Sequence, residues 1–195
     1  LLVQRVSGEL HGHLFFPQIA GVGFSFNPFV WNEDIDPKAG MLRLVFGLGT
    51  RAVDRTDDDS TRLVALNAPL KRPEAKPLEV REFAQRRVDV LELQAKQLLN
   101  LDFQVVARSL QPGLLELFAT RDEDVPVPAP GKGPEDEFFG VLTFERMFTE
   151  TEFVPAMREL CHTLQRAYDY PVDIEFTANF TPNGKFRINL LQCRP

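Results

Sequence analysis

The closing run PVDIEFTANFTPNGKFRINLLQCRP, Pro171 to Pro195, leaves this part of the chain little choice of local structure. Val172, Ile174 and Phe176 alternate with Asp173 and Glu175, the two-residue period of a strand buried on one face. A turn-rich NFTPNG stretch follows, and a second apolar run ends in Gln192, Cys193, Arg194 and Pro195. Two such runs around a turn predict an antiparallel hairpin with both carboxylates on one face. Gln192 and Arg194, two residues apart, share a face of the second strand. Set opposite the acids, the four residues make chemical sense together. Carboxylates and an amide oxygen suit Mg²⁺, which needs only a few protein ligands beside phosphate and water. The planar fork of an arginine suits phosphate. Acids on a solvated strand face are also common, so the pattern alone leaves a surface hairpin and a site both open.

Ahead of the hairpin, Glu150 to Tyr168 predicts a helix, with Thr149 and Glu152 as a capping box and Pro155 tolerated in the first turn. Phe153, Met157, Leu160, Cys161, Leu164 and Tyr168 recur at helical spacing and form its core stripe, with His162 off it. Strands are expected at Leu1 to Val6, within Leu14 to Phe26, at Met41 to Phe46 and near Arg62 to Leu66. Gly21 and Gly23 leave one face of the second of these bare, which invites a close approach to its backbone. From Leu78 to Asn100 the signal is mixed: RRVDVLEL alternates like a strand, while LELQAKQLLN fits a helix end. The tract DEDVPVPAPGKGPEDE reads as an exposed linker. The sum is an α+β fold with a mainly antiparallel sheet and few helices.

A net charge of −6 gives no general attraction for nucleic acid or an anionic membrane. A polyphosphate ligand therefore needs a divalent cation or a few placed basic groups. No run approaches the ~18 apolar residues of a membrane span. Cys161 and Cys193 form no disulfide framework or metal pair, which points to a reducing, cytoplasmic setting. The chain opens on Leu1 inside an apolar run and reads as part of something longer. Gly47-Leu48-Gly49 lacks the further glycine or Lys-Ser/Thr of a nucleotide loop and, like Gly131-Lys132-Gly133, reads as a turn. His11 and His13 flank Gly12 without an evident third ligand and read as an unliganded surface turn. Neither Ser25 nor either cysteine sits in a nucleophile pattern.

The closing hairpin resembles the end of the nucleotide-binding domain of the phosphoenolpyruvate synthase and pyruvate, phosphate dikinase family. Asp173, Glu175, Gln192, Arg194 and Pro195 match that family's closing pattern one for one. LLVQRV is similar to its strand before the adenine hinge, AGVGFSFNP to a second strand, and LVFGLG to the strand ending in GLGE. The likeness covers about 1–66 and 138–195, leaving an insertion-like segment, about 67–137, unassigned. It implies an ATP-grasp-like lobe, the C-terminal part of a nucleotide-binding domain spanning 1–195. It also implies ATP and Mg²⁺ as cofactors and a phosphohistidine domain of the same parent protein as partner.

By that resemblance Asp173, Glu175 and Gln192 are the expected metal residues. Gln4, Arg5 and Val6 would meet adenine, Gln192 and Arg194 would bind phosphate, and Arg194 is the expected catalytic residue. The implied function is phosphoryl transfer from MgATP to a histidine on another domain. Thr50 stands where the family has the glutamate of GLGE, and AVDRTDDDS replaces its usual continuation. These departures keep a second reading open, a non-catalytic or regulatory nucleotide-binding module.

Overall fold

The computed structural model describes residues 3–53, 61–74, 76–121 and 140–195. Its first half holds β1 (Glu9–His11), β2 (Leu14–Phe16), β3 (Ile19–Phe24), β4 (Met41–Val45), α1 (Thr50–Val53), β5 (Arg62–Ala65), α2 (Pro77–Glu82) and β6 (Arg87–Glu92). The second half holds β7 (Gln97–Asp102), α3 (Phe103–Ala107), α4 (Pro112–Phe118), β8 (Ala119–Arg121), β9 (Gly140–Leu142), α5 (Glu145–Glu150), α6 (Phe153–Tyr168), β10 (Asp173–Phe180) and β11 (Phe186–Arg194). The strands form a five-stranded sheet ordered β11-β10-β3-β4-β5, a four-stranded sheet ordered β1-β2-β6-β7, and a β8-β9 pair. Every pairing among them is antiparallel. The α+β architecture expected from the alternating runs is therefore present. No helix among the described residues is long and apolar enough to cross a membrane.

The five-stranded sheet buries one face against α6. Ile174, Phe176, Ala178 and Phe180 of β10 point into the core, each no more than 1% exposed. Phe153 of α6 meets the rings of Phe176, Phe180 and Phe186 at centroid separations of 6.2, 5.6 and 5.8 Å. The bare glycine face of β3 is explained here. A side-chain carbon at Gly23 would meet Ile174 and Leu42, and one at Gly21 would meet Leu44 and Phe176. Core side chains of the flanking strands lean over the glycines and fill the space, so the close approach comes from within the fold.

The four-stranded sheet joins the same core through a chain of rings. Phe16 packs on Phe46 at 5.7 Å, Phe46 on Phe103 and Phe118 at 5.7 and 5.4 Å, and Phe118 on Phe180 at 5.4 Å. The described part of the unassigned 67–137 segment thus supplies β6, β7 and several core residues, including Phe103 and Phe118.

Four local expectations are corrected. Residues 3–8 form no strand; they run beside the outer edge of β11, where Gln4 Nε2 donates to Leu191 O at 3.4 Å and Asn189 Nδ2 donates to Ser7 Oγ at 2.7 Å. Side-chain bonds take the place of a backbone ladder there. The stretch after Leu91 is not a helix end: Leu93 to Lys96 turn, with Lys96 at φ 55°, and Glu92 pairs with Gln97 as a hairpin. The expected capping box is absent, because α5 runs to Glu150 and the chain breaks at Thr151 before α6 starts at Phe153. Thr149 Oγ1 instead donates to Glu145 O within α5, and Thr151 Oγ1 accepts from Phe153 N. Finally, Tyr168 is 49% exposed and lies outside the core stripe, while Phe153, Met157 and Cys161 are buried. The proline-rich acidic tract lies outside the described residues.

Candidate nucleotide site on the outer sheet face

One irregularity of β11 decides which side chains meet on the face of the five-stranded sheet turned away from α6. From the turn upward, Phe180 pairs with Phe186, Ala178 with Ile188, Thr177 with Asn189 and Phe176 with Leu190. The register then slips between Glu175 and Phe176, so that Glu175 pairs with Gln192, Ile174 with Cys193 and Asp173 with Arg194. Leu191 is the extra residue of this β-bulge. Because strand side chains alternate, one added residue exchanges the faces of everything beyond it. Without it Gln192 would pair with Ile174 and turn into the core. With it Gln192 and Arg194 stand beside Glu175 and Asp173.

The four residues that the sequence brings forward as one set therefore share a face. Arg194 Nη2 lies 3.7 Å from Glu175 Oε1, with side chains 60% and 31% exposed. At that exposure the pair adds at most about 1 kcal/mol to stability, so its charges remain available to a ligand. The same face continues across the sheet, since Glu175 pairs with Val22 and Val22 with Arg43. Gln4 reaches the carbonyl of Leu191 at the sheet edge. Arg5 and Val6 are exposed beside it.

A cavity of about 260 Å³ opens on this face. Ala20, Gly21, Phe176 and Leu191 form its floor, Gly49, Thr50, Ala52 and Val53 one wall, and Glu175 and Thr177 supply polar groups. The alternation in β10 explains the mixture: Glu175 and Thr177 face outward two residues apart, while Ile174 and Phe176 hold the strand on the core. Thr177, Leu191 and the wall beyond Thr50 were not legible as site residues, while Thr50 itself stands out only as a departure from the family's GLGE. Their sequence signals are strand parity for Thr177 and, for the wall, the Gly47-Leu48-Gly49 turn with Thr50 at the GLGE position.

That turn behaves as expected of a turn. Gly47 takes φ +91°, and a side chain there would strike Val88 and Asp89. The helix that follows, α1, is only four residues long, which gives no phosphate-binding terminus. His11 and His13 do not come together with other ligands, and among the described residues no group of three or more His, Cys, Asp or Glu could hold a metal. Yet His11 is not a surface residue. It is 9% exposed, stacked on Phe16 at 4.6 Å, with its Nε2 3.0 Å from Gln18 Nε2. Burial holds its imidazole below the ordinary 6.5.

A second cavity, about 10 Å³, lies between Arg62, Arg72 and Glu74, room for about one water. Burial above all, and then Arg72, push the Arg62 guanidinium down to about 9. Glu74 and Glu145 offset the charge there, so this cluster is a balanced ion network. It does not compete with the outer face as a ligand site.

A family model described as "Pyruvate phosphate dikinase, AMP/ATP-binding domain" matches residues 1–195, the whole chain. No curated protein matches it.

Proposed function

Because the chain belongs to the pyruvate phosphate dikinase AMP/ATP-binding domain family, we propose that it is the MgATP-binding part of a dikinase-like phosphotransferase. In this reading residues 1–195 are the C-terminal lobe of an ATP-grasp nucleotide-binding domain, and 67–137 is an elaboration of that lobe. One phosphoryl group passes from ATP to a histidine on another domain of the same protein and the other leaves to water or inorganic phosphate, so that the nucleotide product is AMP. The reaction belongs in the cytoplasm, where ATP is supplied.

The observation that carries this reading is the Leu191 bulge, which gathers Asp173, Glu175, Gln192 and Arg194 on one face, with Glu175 lining the 260 Å³ cavity. Their donor set, two carboxylates and an amide oxygen, fits a Mg²⁺ that keeps phosphate oxygens and water among its ligands. When bound, the ion neutralises charge on the phosphates and orients them. Asp173, Glu175 and Gln192 would hold it. Arg194 would grip a phosphate through its guanidinium and withdraw negative charge as transfer proceeds, which makes it the expected catalytic residue. Gln4, Arg5 and Val6, on the segment beside β11, would meet the adenine. Nothing in this set forms a covalent bond, so rate enhancement would come from positioning and electrostatics.

The test uses the full-length protein with MgATP, resolving AMP from ADP and measuring acid-labile phosphohistidine. Wild type is expected to yield AMP and phosphohistidine. Glu175→Ala is expected to lose both by about a hundredfold or more, since a metal-holding carboxylate is removed, while retaining its fold. Normal turnover in that variant would remove Glu175 from the site. Nucleotide binding without any turnover in wild type would select a regulatory module instead.

A further inference from the structure

The turn Phe46 to Arg51, which leads into the cavity wall at Gly49, Thr50, Ala52 and Val53, is held by β6 and by the residue Gln85 just ahead of it. Gln85, 5% exposed, takes both backbone groups of Phe46: its Oε1 accepts from Phe46 N at 2.8 Å and its Nε2 donates to Phe46 O at 2.9 Å. The same Nε2 donates to Arg87 O at 2.8 Å, tying this clamp to the start of β6. Two residues further along β6, Asp89 takes over. Its carbonyl accepts from Leu48 N at 2.9 Å. Its carboxylate accepts from Thr50 Oγ1 at 2.5 Å through Oδ2, and the same oxygen lies 3.4 Å from Arg51 Nε. The other oxygen accepts from Asn100 Nδ2 at 2.5 Å, and Asn100 Oδ1 in turn accepts from Arg87 Nε at 2.6 Å.

Every oxygen of Asp89 thus has a task, and its side chain is only 14% exposed. An aspartate on a strand surface needs none of this to stay folded. Along the turn these contacts reach Phe46, Leu48, Thr50 and Arg51, and Thr50 is the first residue of α1 and lines the cavity. Because Thr50 donates its proton to Asp89, its hydroxyl oxygen keeps lone pairs for the cavity side. Helix α1 is a single turn, far below the length at which a helix is stable alone. Ala52 packs in a small cluster with Ala20, Val22 and Val45, against which Phe24 also rests.

We propose that Asp89, supported by Gln85, is a positioning residue of the cavity: it fixes Thr50 and the first turn of α1 from the second sheet. This gives the segment 67–137 a role, as the brace of the site. The inference rests on the nucleotide reading for its purpose, and on the Thr50–Asp89 geometry for its substance.

The experiment compares Asp89→Asn, Thr50→Val, Thr50→Ser and the double variant Asp89→Asn/Thr50→Val in the full-length protein. MgATP affinity is read by calorimetry, global stability by thermal unfolding, and the wall by methyl NMR of Ala52 and Val53. Asp89→Asn and Thr50→Val are each expected to weaken MgATP about tenfold, and the double variant no further than Asp89→Asn alone, because the two changes act on the same Thr50–carboxylate contact. Thr50→Ser, which keeps the hydroxyl, should bind as wild type does. The Ala52 and Val53 methyl signals should shift in the first two variants, while those of Ile188, on the core face of β11, stay in place. A fall in melting temperature with unchanged affinity and unmoved α1 methyls would overturn the inference, as would fully additive losses. If wild type itself fails to bind MgATP, the nucleotide reading falls. The methyl shifts then decide the brace alone: shifts in α1 support it, and their absence rejects it.

Discussion

His11 illustrates how far a single side chain's chemistry can depart from what its neighbours in sequence suggest. Flanked by a glycine and a second histidine, it reads as part of an exposed turn. Its surroundings instead come from Phe16, which stacks on it, and from Gln18, whose amide is fully buried. Gln18 also accepts from Phe180 N at 3.0 Å through its Oε1, so its amide nitrogen is the group left to face His11. That nitrogen donates, so His11 Nε2 accepts and the ring is neutral in this arrangement. Burial is the larger influence on His11 and lowers its pKa; the Glu9 carboxylate opposes it weakly. The consequence for stability follows from the sign of that shift. The unfolded chain takes up a proton near 6.5 while the folded chain resists it, so this contribution is intact above that pH and is lost as pH falls below it. Urea unfolding between pH 7.5 and pH 5 should show falling stability, and His11→Gln should flatten that part of the profile. An unchanged slope in the variant would mean that other groups set the acid limit.

Among the elements, the closing hairpin carries the most consequence for function, and its legibility was uneven. Alternation placed the buried and exposed faces of β10 correctly, because period two is written directly into Val172, Ile174 and Phe176. The bulge opposite it left no mark: Asn189, Leu190 and Leu191 include no glycine, and a Leu-Leu pair reads as continuous strand. Its effect is to keep Cys193 packed on the core while Gln192 and Arg194 stay exposed on the acid face. Similarly, the turn at Leu93 to Lys96 was hidden, since Leu, Gln, Ala and Lys are all good helix formers. There the pairing of β6 with β7 overrode local propensity. The bulge makes a direct prediction. Deleting Leu191 restores regular pairing and should turn Gln192 toward Ile174, removing it from the acid face. Such a variant should lose MgATP binding and also several kcal/mol of stability, on the order expected for burying an unpaired polar amide. Leu191→Ala, which keeps the residue count, should retain both the register and most of the stability. Equal loss of binding in the two variants would show that the Leu191 side chain matters and the bulge does not. Chemical-shift or exchange data on the β10 amides would report the register directly.

At the scale of the whole molecule the question is whether the second sheet is an appendage or part of one folding unit. Its sequence gave weak strand signals and no familiar pattern, which is why the segment beyond residue 67 resisted placement. Physically it is tied in twice, through the polar clamp of Gln85 and Asp89 on the Phe46 turn and through the aromatic chain that centres on Phe118. That ring is fully buried and touches Phe46 on one side and Phe144 and Phe180 on the other, at 5.4, 6.4 and 5.4 Å. Phe46 follows β4 and packs toward Phe16 and Phe103 of the four-stranded side, while Phe180 ends β10. Removing the central ring should therefore be felt in both sheets at once. Phe118→Ala should cost about 3–5 kcal/mol, the usual range for a buried phenylalanine truncated to alanine. Hydrogen exchange separates the two possibilities. If the sheets form one cooperative unit, amides of β6 and β10 should lose protection by the same amount in the variant. If only the β6 amides open while β10 keeps its wild-type protection, the second sheet unfolds by itself and the brace on the cavity wall would be a local latch. A shared loss would instead make the integrity of the cavity and the stability of the core a single property. Mutations far out on β6 or α4 should then leave the intrinsic ligand affinity intact and weaken apparent binding only where the folded population itself falls.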